Sequence, residues 1–166
     1  MNMGRKSVKK DKNIYQTARE QAGLTRRQAS ERLDYISENR IEKIEGGRTQ
    51  IQPAEVLAME AAYQDGLLVN RHCTTQCAIG RKTVTPVASR PLAETVIEIL
   101  ALKEKLTEAQ SQLLEAAGGF KTPEETSQIV AEEARLLREL GRCGFELDLY
   151  LSETRKTQER EEEKHL

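Results

Sequence analysis

Apolar positions along the first third of the chain recur at steps of three and four, broken at regular intervals by cap and turn residues. Ile14, Ala18 and Ala22 fall on one face, with Asn13 before them as an N-cap and Gly23 after them as a left-handed exit, which predicts a first helix. Thr25 opens a second, and Gln28 three residues on completes the spacing of a capping box. Ala29 and Leu33 form its apolar side, and Asp34, Tyr35 and Ile36 form a turn. Ser37 caps a third helix over 38–45, with Ile41 and Ile44 inward and the pair Gly46 and Gly47 as its stop. Pro53 suits the first turn of a fourth, and Ile51 and Val56 are spaced as a hydrophobic staple around that start. This helix should run to about Tyr63. Leu24, Leu33, Ile41 and Ile44 are its neighbours' core residues.

The pattern then changes twice. Residues 65–90 contain prolines, glycines and no lasting period, and read as an irregular linker with room for one short helix. From Pro91 the period returns through Thr95, Ile99, Leu102, Leu106, Ala109, Leu113 and Ala116. The stretch GGFKTP breaks it. Thr122, Pro123 and Glu125 start a last helix as N-cap, N1 and N3, and Ile129, Leu136, Leu140, Cys143, Leu147 and Tyr150 mark its apolar side. Two long helices with a short Gly-rich turn predict an antiparallel hairpin over 91–155. The tail 156–166 loses its apolar side and is expected to fray.

The expected class is therefore all-α. Composition agrees: aromatic residues make up 4% of the 166 positions and Trp is absent, so no large aromatic core is expected. No apolar run is long enough for a bilayer, so no membrane role is expected. The basic start lacks an apolar h-region, and three cysteines are an odd number for a disulfide framework; both point to a reducing cytoplasm. Charge is segregated. Residues 1–50 carry 12 Lys and Arg against 7 Asp and Glu, whereas 91–166 carry 10 against 17, so only the front should approach a polyanion. Residues 1–12, with Arg5, Lys6, Lys9, Lys10 and Lys12, read as a basic disordered arm.

Residues 13–64 resemble the lambda-repressor-like (Xre-type) helix-turn-helix family. The resemblance is carried by "IYQTAREQAGLT", "RRQASERL", "SENRIEKIEGGRTQ" and "PAEVLAMEAAY" in succession. It implies a DNA-binding domain whose third helix, 38–45, enters the major groove of duplex DNA. Ser37, Glu38, Asn39, Arg40 and Lys43 then lie at the read-out turn. Asn39 suits adenine, Arg40 or Lys43 suits guanine, and Glu38 suits cytosine but repels phosphate. Arg26 at the start of the second helix should face phosphates, with Arg27 and Gln28 assisting. Arg48 falls where the family contacts the DNA backbone. Arg19 and Glu45 occupy the places of a structural ion pair between the first and third helices. The turn "LDYIS" has one residue more than is usual, which shifts the read-out register by up to one position. A similar "C-x-x-x-C-x-I-G" stretch, here Cys73 to Gly80, follows the domain in some regulators.

No metal or other cofactor is expected. Cys73 and Cys77 beside His72 lack a second cysteine pair, and two half-buried small residues in a packed connector fit better than a zinc site. No Ser/His/Asp or Cys/His set, phosphate loop or paired carboxylates in an apolar pocket is present, so no enzyme is expected. The resemblance, with the basic front, thus implies a sequence-specific transcriptional regulator that binds duplex DNA, and the hairpin is expected to dimerise it through 91–155. The alternative is a protein-interaction adaptor acting through the hairpin.

Overall fold

The computed structural model describes residues 12–162, and the arm at 1–11 and the last four residues lie outside them. The described residues contain helices and no strand. They are α1 (Ile14–Gln21), α2 (Arg26–Leu33), α3 (Glu38–Glu45), α4 (Pro53–Tyr63), α5 (Leu68–Thr75), α6 (Gly80–Thr83), α7 (Leu92–Ala117) and α8 (Pro123–Glu162). The chain divides into two units, Met1–Pro86 and Val87–Leu166.

In the first unit each of the first three helices starts on a side-chain cap. Asn13, Thr25 and Ser37 accept from the backbone N–H groups of Gln16, Gln28 and Arg40. These caps satisfy amide donors that the helix leaves without partners. The core is built from the inward stripes: Tyr15 and Ala18 of α1, Ala29 and Leu33 of α2, Ile41 and Ile44 of α3, and Val56, Met59 and Tyr63 of α4. Leu24 and Ile36, from the two turns, close it. The longer α2–α3 turn is accommodated at Asp34, whose φ of 57° and ψ of −57° let Tyr35 N–H donate to Leu33 C=O at 2.6 Å. This is a γ-turn in the strained, positive-φ form. It turns Ile36 into the core and leaves Tyr35 exposed.

The segment expected to be an irregular linker instead folds largely onto the first unit. Leu68 of α5 is fully buried in the core, and Val69 packs beside it. The α5 start is held by polar contacts: Val69 N–H donates to Glu60 Oε2 at 2.7 Å. Tyr15 Oη and His72 Nδ1 meet at 2.7 Å, which ties α5 to α1. Gly80 sits so close to α5 that a Cβ there would come within 2.3 Å of Cys73 O. The glycine of the C-x-x-x-C-x-I-G stretch is thus explained by backbone packing, with Gly80 N–H donating to Cys77 Sγ at 3.3 Å.

The second unit is an antiparallel pair of long helices. Thr95, Leu102 and Ala116 of α7 and Leu136 and Cys143 of α8 are buried between them, with Ile99, Leu106 and Leu140 half-buried alongside. Tyr150 stays at the margin, 37% exposed. The α8 helix runs on through Glu162, into the segment expected to fray.

Two outcomes follow. Gly80→Ala should cost about 1–3 kcal/mol in urea unfolding, because the obstructing atoms are backbone. Burial lowers the His72 pKa, so below the ordinary value of about 6.5 the unfolded chain takes up a proton that the folded chain refuses. The first unit should therefore be most stable above that pH and lose stability as pH falls through and below it. Thermal melts of His72→Gln should show a flatter pH dependence in that window.

Candidate nucleic-acid interface

On α3, at about 100° per residue, Ile41 and Ile44 fix the inward direction. Arg40 and Glu45 then fall on the two shoulders, and Asn39, Glu42 and Lys43 point away, with Glu38 at the margin. The observed exposure follows this wheel. Ile41, Ile44 and Glu45 are buried, Arg40 is intermediate, and Glu38, Asn39, Glu42 and Lys43 are exposed.

Both shoulders are pinned by ion pairs. Glu45 is 5% exposed and receives three charged hydrogen bonds. Arg19 Nε donates to its Oε1 at 2.5 Å and Arg19 Nη2 to its Oε2 at 3.0 Å. Arg26 Nε donates to Oε2 at 2.8 Å. Arg19 Nη1 also donates to Leu24 C=O at 2.6 Å. One carboxylate therefore joins α1, the start of α2 and the end of α3. Opposite it, Arg40 donates from Nε and Nη2 to the two Glu55 oxygens, each at 2.8 Å, and reaches Thr49 Oγ1 at 2.5 Å and Gln50 C=O at 2.8 Å. The Arg40 guanidinium holds the Glu55 carboxyl below the usual carboxylate range.

Arg40, expected along with Lys43 as a candidate guanine reader, is engaged within the domain. Its guanidinium lies against α4 and the loop before it, because position 40 sits on the shoulder of the helix wheel. Arg26 also has a partner not anticipated from the sequence, although 37% of its side chain remains exposed at the start of α2. Arg27 pairs with Glu31 at 3.0 Å while 81% exposed, so the pair restrains it weakly. Gln28 accepts from Thr25 N–H at 2.9 Å through Oε1 and Ser37 caps α3, so both have local structural tasks. Arg48 is ion-paired with Glu42, whose pKa it lowers. The pairing offsets an anion on the outward face of α3.

The surface that results contains Asn39 and Lys43 at its centre, Glu38 at one margin, and Arg26 and Arg27 at the neighbouring helix start. Its net charge is modest. Residues 13–64 hold 7 Lys and Arg against 8 Asp and Glu, so the excess cations of the front belong to residues 1–12. Of these, Lys12 pairs with Glu20 at 2.6 Å, and residues 1–11 fall outside the described part.

Cys73, Cys77 and His72 do not gather metal-ligand atoms in one place. Among the described residues one such group exists, in the second unit, where Glu98, Cys143 and Glu146 have ligand atoms within 4.8 Å of one another. Arg142 and Arg90 already bond both carboxylates, and burial pushes the Cys143 thiol up. The group is a partly buried ion-pair network.

Residues 16–64 match the model of a family described as a helix-turn-helix domain, which covers less than a third of the chain. No curated protein and no solved structure gives a significant match. No helix among the described residues is long and apolar enough to cross a membrane.

Removing one partner of the buried node exposes its worth. Glu45→Ala strands Arg19, which is 6% exposed, and should cost about 3–5 kcal/mol in chemical unfolding. Arg26→Ala leaves the buried pair intact and should cost about 1 kcal/mol or less. The chain carries a helix-turn-helix domain at residues 16–64.

Proposed function

We propose that this protein is a sequence-specific regulator of transcription that lays α3 in the major groove of duplex DNA. The observation that carries this reading is the outward face of α3. Ion pairs on both shoulders hold the helix, and Asn39 and Lys43 project from it. Asn39 offers the donor and acceptor that match adenine N7 and N6, and Lys43 donates to guanine. Arg27 and the exposed part of Arg26 lie at the α2 N-terminus, where backbone amides and helix dipole favour a phosphate. Arg48 adds a backbone contact on the other side by exchanging Glu42 for phosphate. The cations of 1–11 supply sequence-independent attraction that the near-neutral domain lacks. A dimer formed through 91–155 places two α3 helices on half-sites about 34 Å apart, one turn of DNA.

A protein-interaction adaptor is the second reading. Glu38 and Glu42 on the outward face favour it, together with the near balance of charge in 13–64. In that case DNA contributes little, and the hairpin does the binding.

Selection from random duplexes at low salt separates the two. Under the proposal one sequence is enriched. Asn39→Ala then loses about 1–3 kcal/mol on that sequence and almost nothing on unrelated duplexes. Arg27→Ala weakens all duplexes alike and lowers the slope of log affinity against log salt by about 0.9, one phosphate contact. Failure to enrich any sequence rejects the proposal.

A further inference from the structure

The two long edges of the α7–α8 hairpin differ in chemistry. Glu98 of α7 is ion-paired with Arg142 of α8 across one edge, which fixes the register of the helices and identifies that edge. Along it, at steps of three and four, stand eight glutamates, from Glu94 to Glu146, with Lys105, Arg135 and Arg142 among them. The other edge, one helical step beyond the buried seam on each helix, is lined by Val96, Leu100 and Leu114 of α7 and Val130, Leu137 and Leu151 of α8. These six side chains are 41–68% exposed. Between Val96 and Leu151 the charged residues of this edge are one cation, Lys103, and one anion, Asp148, and Arg155 follows on the same face of α8. Gly141 and Gly144 lie on it as well, and a Cβ at either would meet nothing within 4 Å.

We infer that this uncharged edge is where a second copy of the chain docks, two-fold and antiparallel, to give a four-helix bundle. The inference deepens the dimer proposed above and rests on it. Three features select a copy of the same chain over another partner. A two-fold interface must be complementary to itself, and an edge with few charges, of both signs, meets that condition where the glutamate-rich edge cannot. Gly141 and Gly144 are the two positions of this edge of α8 that carry no side chain. A two-fold axis passing between them lets the backbones of two antiparallel α8 helices approach closely there. In that register Asp148 of the second copy comes opposite Leu137. Lys103 sits beside Leu137 in the hairpin, by the same register that pairs Glu98 with Arg142. Lys103 of each copy thus reaches Asp148 of the other, twice by symmetry. Burial of the six apolar side chains supplies the affinity, and the charge pairs set the register.

Sedimentation of the full chain without DNA, across the micromolar range, tests this. Wild type is expected to be dimeric. Leu137→Asp should weaken association at least tenfold while keeping helical circular dichroism, since Leu137 is 53% exposed in the hairpin. Lys103→Asp should weaken association, and the double variant Lys103→Asp with Asp148→Lys should recover it. Glu132→Lys, on the charged edge, should leave it unchanged. A monomeric wild type would overturn both the dimer and this interface. A dimer indifferent to Leu137→Asp and to the charge swap would leave the dimer standing and remove this edge as its interface.

Discussion

The helix-turn-helix unit depends on one buried carboxylate. Glu45 sits at the end of α3 with its oxygens shared between Arg19 of α1 and Arg26 at the start of α2. Burying a carboxylate carries a large desolvation cost, which is offset here by a bidentate guanidinium and a second cation. The α3 helix has eight residues and would be marginal alone. The node gives it one orientation relative to two neighbours, which hydrophobic contact by Ile41 and Ile44 would not specify as sharply. It also fixes Arg26, so the same carboxylate that orients α3 positions a cation at the edge of the proposed DNA surface.

A second constraint acts on the opposite shoulder. Arg40 joins α3 to α4 through Glu55 and to the intervening loop through Thr49 and Gln50. With both shoulders occupied, the polar side chains left on α3 for another molecule are Asn39, Lys43, Glu38 and Glu42, the last bridged to Arg48. Structural contacts and the proposed recognition face are thus divided by angle around a short helix. The hairpin shows the same division, with its ion-pair network on one edge and its exposed leucines and valines on the other.

Much of this was legible in the sequence. The caps Asn13, Thr25 and Ser37, the stop at Gly46 and Gly47, and the apolar stripes of the longer helices, except at Tyr150 of α8, are local signals, and local chemistry determines them. The inward residues of α7, from Thr95 to Ala116, are those with the helical period. What lay hidden depends on long-range partners. Arg40 is fifteen residues from Glu55, and Tyr15 is fifty-seven from His72. The wheel position of Arg40 beside Ile44 held a clue to its structural use. Residues 65–90 lack periodicity because α5 and α6 are short and are held by tertiary contacts: Leu68 in the core, Gly80 against Cys73, Val69 on Glu60. Propensity gave no sign of these. The γ-turn at Asp34 was visible only as an extra residue in the turn.

The most direct test of the division around α3 is a backbone-amide NMR titration of the full chain with an enriched duplex. Shift changes should concentrate at 37–43 and at the start of α2 around 25–28, with side-chain amide signals of Asn39 among the most displaced and the Arg19 and Arg40 guanidinium signals nearly still. Changes centred on α7 and α8, with residues 37–43 unmoved, would contradict it.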